Sequence, residues 1–299
     1  MSLIDQGKVV LEISLNEATT KEQNPNVPYG PDAVAEDVIR CFQAGATMVH
    51  FHARTDEGDQ VWVDPEPSRR VLEKVAGQGV DPLIYPSYVG AQLDHIWALT
   101  DPSERPSGLV LSPFDPAQHE KSTFWDVEKR SFLPEPFRED ASSDLYPGEI
   151  DELQSRGIIP KYSVFTPTDL RWVSCAGRAG ILKQPINLNF FYSDSWLSQT
   201  EPSVELLALM QDLFPKELAA ELVVVPYLMS SRKGAEVLLE RALELGMGIR
   251  VGVGDCPHAF TTETNEELTE WAVELIRKKG LEPATPTEFR DVCGLPPFE

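Results

Sequence analysis

The chain has 299 residues, 41% of them hydrophobic and 25% charged, a composition that excludes wholesale disorder. Its 48 acidic residues against 26 basic ones give a formal charge of −22, which argues against nucleic acid or an anionic membrane surface as the main partner. An anionic small molecule stays open, because a few cations can be gathered in one pocket.

No stretch approaches the ~20 apolar residues of a membrane span. The opening MSLIDQGKVVLEISL lacks the basic region and cleavage signal of a secretory leader. Four scattered cysteines (Cys41, Cys175, Cys256, Cys293) without a CxxC are expected to be reduced thiols in a cytoplasm.

A pattern recurs along the chain. Short β-rich runs occupy 9–16, 48–54, 82–88 and 108–113, then 161–167, 187–192, 222–228 and 248–255. Helical segments follow most of them. Residues 31–46 open on a proline and end near Gly45, 232–247 stop at Gly246, and 264–280 carry acids in the first turn and cations in the last. Eight strand–helix units predict a single (β/α)8 TIM barrel over 1–299, roughly 250 residues plus additions. A doubly wound open sheet is the structural alternative. The long polar stretch 113–150, with Phe124, Trp125, Phe132 and Phe137, is expected to be an enlarged loop after strand four on the catalytic face.

Chemistry concentrates where strands end. In MVHFHAR, His50 and His52 stand two apart on a strand and so share a face. Two neutral imidazoles make half of a zinc site that needs further ligands; a hydrogen-bonded pair plugging the top of a core is the plainer alternative. The first strand ends in Asn16 and Glu17, which are metal-site neighbours or loop caps. The third ends in Ser87, which alone reads as a turn residue. The eighth carries Arg250 and Asp255, a site pair or an internal salt bridge. Between them, Gly252 and Gly254 mark a close approach of ligand or backbone.

The asparagine–proline loop after strand one, the HxH pair, the YPS motif and RVGVGD together resemble the β-keto acid cleavage enzyme family over nearly the whole chain. The resemblance implies a TIM barrel with a divalent metal, normally Zn2+, and acetyl-CoA as co-substrate. It implies an acyltransferase that condenses a β-keto acid with acetyl-CoA to give acetoacetate and a new acyl-CoA, in a homotetramer. His50 and His52 match the family's metal ligands, Ser87 and Arg250 its substrate-holding groups, and Asp255 its general base.

Two departures stand out. The family's third metal ligand is a glutamate where this chain has Gly254, so Glu17 is expected to fill the place, with Cys256 and His258 as fallbacks. Where members acting on an amino-bearing keto acid have an acid, this chain has Lys161, which implies a substrate with a neutral or carboxylate-bearing far end. A metal-dependent aldolase or hydrolase without CoA is the alternative enzyme, and a non-catalytic ligand-binding barrel the alternative of another class.

Overall fold

The computed structural model describes residues 2–62, 64–76, 78, 83–87, 99, 111–112, 124–126, 129, 131–133, 145–156, 158–197 and 199–295. In chain order these form β1 (Lys8–Val9), β2 (Leu11–Ser14), α1 (Gly30–Ala44), β3 (Met48–Phe51), α2 (Glu66–Ala76), β4 (Ile84–Pro86) and β5 (Leu111–Ser112). Then follow β6 (Phe124–Asp126), β7 (Ser131–Leu133), α3 (Leu145–Ser155), β8 (Ile159–Val164), α4 (Pro167–Arg178), β9 (Ile186–Tyr192) and α5 (Val204–Leu213). The chain finishes with β10 (Ala220–Pro226), α6 (Arg232–Glu244), β11 (Gly248–Val251), α7 (Asn265–Lys278), β12 (Glu282–Pro283) and α8 (Pro286–Cys293).

Eight of these strands run parallel in the order β4–β3–β2–β11–β10–β9–β8–β5. That is the cyclic order of a TIM barrel. The first and last barrel strands, β2 and β11, pair in parallel with Glu12 opposite Arg250 and Ile13 opposite Val251. The two ends of the bonded row, β4 and β5, lie in contact. A doubly wound sheet would not pair its first strand with its last. The fold is therefore the curled barrel, with helices alternating with strands along the chain.

Local chemistry explains the element boundaries. Thr166, Thr264 and Thr285 each open a helix with a reciprocal capping box, closed by Asp169, Glu267 and Glu288. Helix α1 has a proline in its first turn and ends on Gly45 at φ 112. The N-terminal residue of α7, Asn265, ties the last barrel turn to the first: its amide donates to Leu15 O at 3.0 Å and Asp37 Oδ2 at 2.7 Å, and its oxygen accepts from Val253 N at 2.9 Å. Below the strands, β1 pairs with β12, and Leu3, Val10, Met48, Leu83, Val223 and Phe289 fill the floor.

Seven of the eight strand runs read from the sequence extend past the bonded strands at their C-terminal ends; the run 187–192 ends with β9. Asn16, Glu17, His52, Ser87 and Asp255 all lie beyond the last residue of their strand. The backbone leaves the extended region there, with Glu17 at φ 35 and Gly252 at φ 142. The enlarged loop expected over 113–150 lies outside the described residues, except for the antiparallel pair β6–β7 and the start of α3.

Gly252 is where the barrel is most intolerant. A Cβ there would lie 2.0 Å from Ser14 O, at a φ that side chains rarely adopt. Gly252→Ala is expected to cost about 3 kcal/mol or more by opening the β2–β11 seam, read as a lower urea midpoint. An unchanged midpoint would place the seam elsewhere.

Candidate active site

The site forms at the C-terminal mouth, from residues that alternate along the inner faces of the strands. His50 lies on β3 and His52 just beyond it, with ring centroids 5.4 Å apart and nearly perpendicular. Glu17 reaches both: its Oε1 is 2.9 Å from His50 Nε2 and its Oε2 is 2.6 Å from His52 Nε2. One ligand atom from each of the three lies within 4.8 Å of the others, and all three residues are buried.

The outer ring nitrogens decide what this triangle can hold. His50 Nδ1 is 3.0 Å from Tyr85 O, and His52 Nδ1 is 3.1 Å from Gln60 Oε1. Gln60 is oriented by its own amide, which donates to Glu17 O at 2.5 Å, so its oxygen faces the imidazole. Both partners are acceptors, so each Nδ1 carries a proton and each Nε2 is the ring atom that faces the carboxylate. A carboxylate facing two imidazole nitrogens at these distances either shares their protons or joins them around a cation. Burial, followed by the nearby Arg250 charge, lowers the pKa of His50 and disfavours its protonated form. Among the described residues this is the one cluster with metal-ligand geometry, and its two-nitrogen, one-carboxylate donor set fits a divalent zinc-type ion with open positions.

Arg250 organises the other half. Its Nε donates to Asp255 Oδ2 and its Nη2 to Oδ1, both at 2.7 Å, a bidentate pair. The same Nη2 lies 2.5 Å from Glu17 Oε1 and 3.0 Å from Ser14 Oγ. Its Nη1 donates to Glu12 Oε1 at 3.1 Å. Glu12 also accepts from Tyr85 OH and from Asn189 Nδ2. Burial works against the charge on Glu12, but Lys161 and Arg250 outweigh it and hold its carboxyl down at about 2. For Asp255 the balance goes the other way: burial outweighs Arg250 and, with Glu17 nearby, pushes its carboxyl up to about 7.

Gly254 shows how Glu17 comes to the histidines. A Cβ at 254 would meet Asn16 N at 2.8 Å and Glu17 N at 2.9 Å. The bare glycine lets the loop after β2 close onto β11, where Thr19 Oγ1 also bonds Gly254 O at 3.0 Å. Asn16 clips the same loop to β3, donating to His52 O at 3.0 Å and accepting from His52 N at 2.8 Å.

Other candidates are placed differently. Ser87 donates its backbone N–H to Phe51 O at 2.8 Å, and the pleat sets it on the same side as Tyr85. Lys161 is buried inside the barrel with Nζ 2.9 Å from Glu12 Oε2, so its charge is balanced there. The fallback ligands do not join the cluster: the Cys256 thiol bonds Pro226 O at 3.1 Å, and His258 is exposed. Sequence reading missed Glu12, Ser14, Tyr85 and Asn189. A signal existed for all four, since each lies two residues along a strand from another inward polar or aromatic residue. Gln60 gave none, because its role depends on how the chain after β3 folds back.

The family model for beta-keto acid cleavage enzyme matches residues 8–295. The chain is 26% identical over 283 residues to 3-keto-5-aminohexanoate cleavage enzyme of Fusobacterium nucleatum, covering 92% of this chain and 93% of that protein. It is 23% identical over 279 residues to the enzyme of the same name from Acetoanaerobium sticklandii, covering 92% and 94%. Among solved structures it resembles apo ObcA with a TM-score of 0.64 at 16% identity, covering 91% of this chain but only 66% of ObcA. ObcA in ternary complex with a C4-CoA adduct and oxalate gives a TM-score of 0.61 at 16% identity, with 91% and 68% covered. With the match running from β1 to the end of α8, the chain belongs to the β-keto acid cleavage enzyme family.

Proposed function

We propose that this chain transfers an acyl group from a β-keto acid to CoA, using acetyl-CoA and a divalent metal, normally Zn2+, and releasing acetoacetate. One observation carries the reading: a single guanidinium nitrogen, Arg250 Nη2, touches both Glu17 of the metal-type triangle and Asp255. A Lewis acid and a base bridged in this way suit proton abstraction next to a carbonyl. The family relatives named as cleavage enzymes support the reaction class, and the ObcA complex with a C4-CoA adduct supports a CoA ligand.

In this reading Glu17, His50 and His52 hold the cation, with Glu17 replacing the glutamate missing at 254. When bound, the cation would supply Lewis acidity to the keto and carboxylate groups of the substrate. Asp255 takes the proton from the carbon between them, and Arg250 keeps the carboxylate of Asp255 aimed at that carbon. Ser87 and Arg250 bind the substrate carboxylate and the oxyanions that develop. The resulting carbanion attacks the acetyl thioester, CoA moves to the former keto carbon, and the carbon–carbon bond between that carbon and the acetoacetate unit breaks. Lys161, on the inner face of β8, makes an ammonium-ended substrate unfavourable. The chain works as one catalytic barrel, in a homotetramer in the cytoplasm.

Acetoacetate formation is expected to require both a β-keto acid and acetyl-CoA, measured by coupled reduction of acetoacetate. Turnover of the keto acid alone would assign a metal-dependent aldolase or hydrolase instead. Asp255→Asn is expected to lower kcat by at least ~100-fold with the thermal midpoint retained. Because the base acts deprotonated, kcat/KM is expected to rise with pH and level off above about 7 in the wild type. The groups facing Asp255 are Arg250, Glu17, Ser14 and Tyr227. A flat profile between pH 5 and 8, on the order of the range in which such a base titrates, would remove Asp255 from that role.

A further inference from the structure

The mouth of the barrel has two unlike halves. Strands β2, β3, β4 and β11 end in the carboxylates, imidazoles and hydroxyls already described. The inner faces of β8, β9 and β10 end instead in Phe165, Phe191 and Tyr227, with Trp196 reaching in from the β9–α5 connection. Phe165 and Phe191 stack with centroids 4.7 Å apart, and Phe191 meets Tyr227 at 5.6 Å. Trp196 closes the group, 6.2 Å from Phe165 and 5.8 Å from Tyr227, while remaining 45% exposed.

This wall is fastened to the reacting groups. Arg250 stands over the Phe191 ring with its guanidinium carbon 5.6 Å from the centroid. Leu228, in the left-handed region at φ 49, donates its N–H to Asp255 O at 2.7 Å. Its carbonyl accepts from Ser195 Oγ at 2.5 Å. Tyr227 and Trp196, the neighbours of these two residues, are thereby fixed relative to Asp255. The rings therefore adjoin the groups of the polar half, at Arg250 and at Asp255.

We infer that Phe165, Phe191, Trp196 and Tyr227 form a side-group subsite, and that the substrate is a β-keto acid with an apolar far end, branched alkyl or aryl. The inference rests on the reaction proposed above. Ring faces also attract an onium group. Here the Arg250 cation already lies against Phe191, and Glu12, Glu17 and Asp255 are each engaged with buried cations or imidazoles, so a second positive charge would be opposed. A terminal carboxylate would lose its hydration against four rings without gaining a donor.

The test compares β-keto acids that share one head group and differ at the far end: hydroxymethyl, branched alkyl, aryl, carboxylate or trimethylammonium. The aryl and branched compounds are expected to show kcat/KM about tenfold or more above the others, carried by KM. Trp196→Ala, at a partly exposed position, should shrink the aryl-to-hydroxymethyl ratio by roughly tenfold. Phe191→Leu, which keeps the position apolar, should shift the ratio in the same direction. A preference for either charged end, or a ratio unmoved by both variants, would overturn the subsite. Calorimetric binding of the same keto acids without acetyl-CoA separates this from the reaction. Selective aryl binding weakened by Trp196→Ala in a protein that forms no acetoacetate keeps the subsite and discards the reaction, whereas equal binding of all far ends discards the subsite.

Discussion

One buried guanidinium governs this molecule. Arg250 is in contact with Asp255, Glu17 and Glu12 at once, from a strand that also closes the barrel. Burying such a cation costs several kcal/mol unless its partners are well placed, and the carboxylates around it hold it charged despite that cost. With Lys161 it makes two cations against the three carboxylates of Glu12, Glu17 and Asp255. Glu17 is shared between Arg250 and the two imidazoles of His50 and His52. This corner is the candidate cation site among the described residues. The high pKa of Asp255 comes first from its burial, with the nearby Glu17 charge adding to it.

The backbone meets that demand by breaking local rules at the strand ends. Glu17 adopts a left-handed conformation that a non-glycine residue rarely takes, and such strain persists only where surrounding contacts hold it. Those contacts are on hand: Gln60 bonds the Glu17 carbonyl, Asn16 clips the loop to His52, and Thr19 bonds Gly254. Gly254 is part of the same arrangement. A side chain there would collide with the backbone of Asn16 and Glu17, so in this fold the glycine at 254 and the approach of Glu17 belong together.

Much of this was legible beforehand. Short β-rich runs and helix stop signals located the eight strands, and the shared face of His50 and His52 followed from strand geometry alone. For Arg250 and Asp255 the structure shows the internal salt bridge that the sequence offered as one of two readings. The limits of legibility are physical. Strand ends were read too long, because apolar runs continue through residues where the backbone turns away. The pairing of Lys161 with Glu12 left no local sign, because Glu12 sits across the interior on a strand far away in sequence. Gln60 was invisible for the same reason: partners set by tertiary folding leave no local period.

The most direct measurement is zinc K-edge X-ray absorption, with metal analysis, on the purified wild type and on Glu17→Gln after extensive dialysis. A stoichiometric ion bound through two imidazoles and a carboxylate oxygen in the wild type, and lost from the variant, is the predicted result. A variant that keeps the same ion with the same coordination would contradict the role assigned to Glu17 and, with it, the link between cation, Arg250 and Asp255.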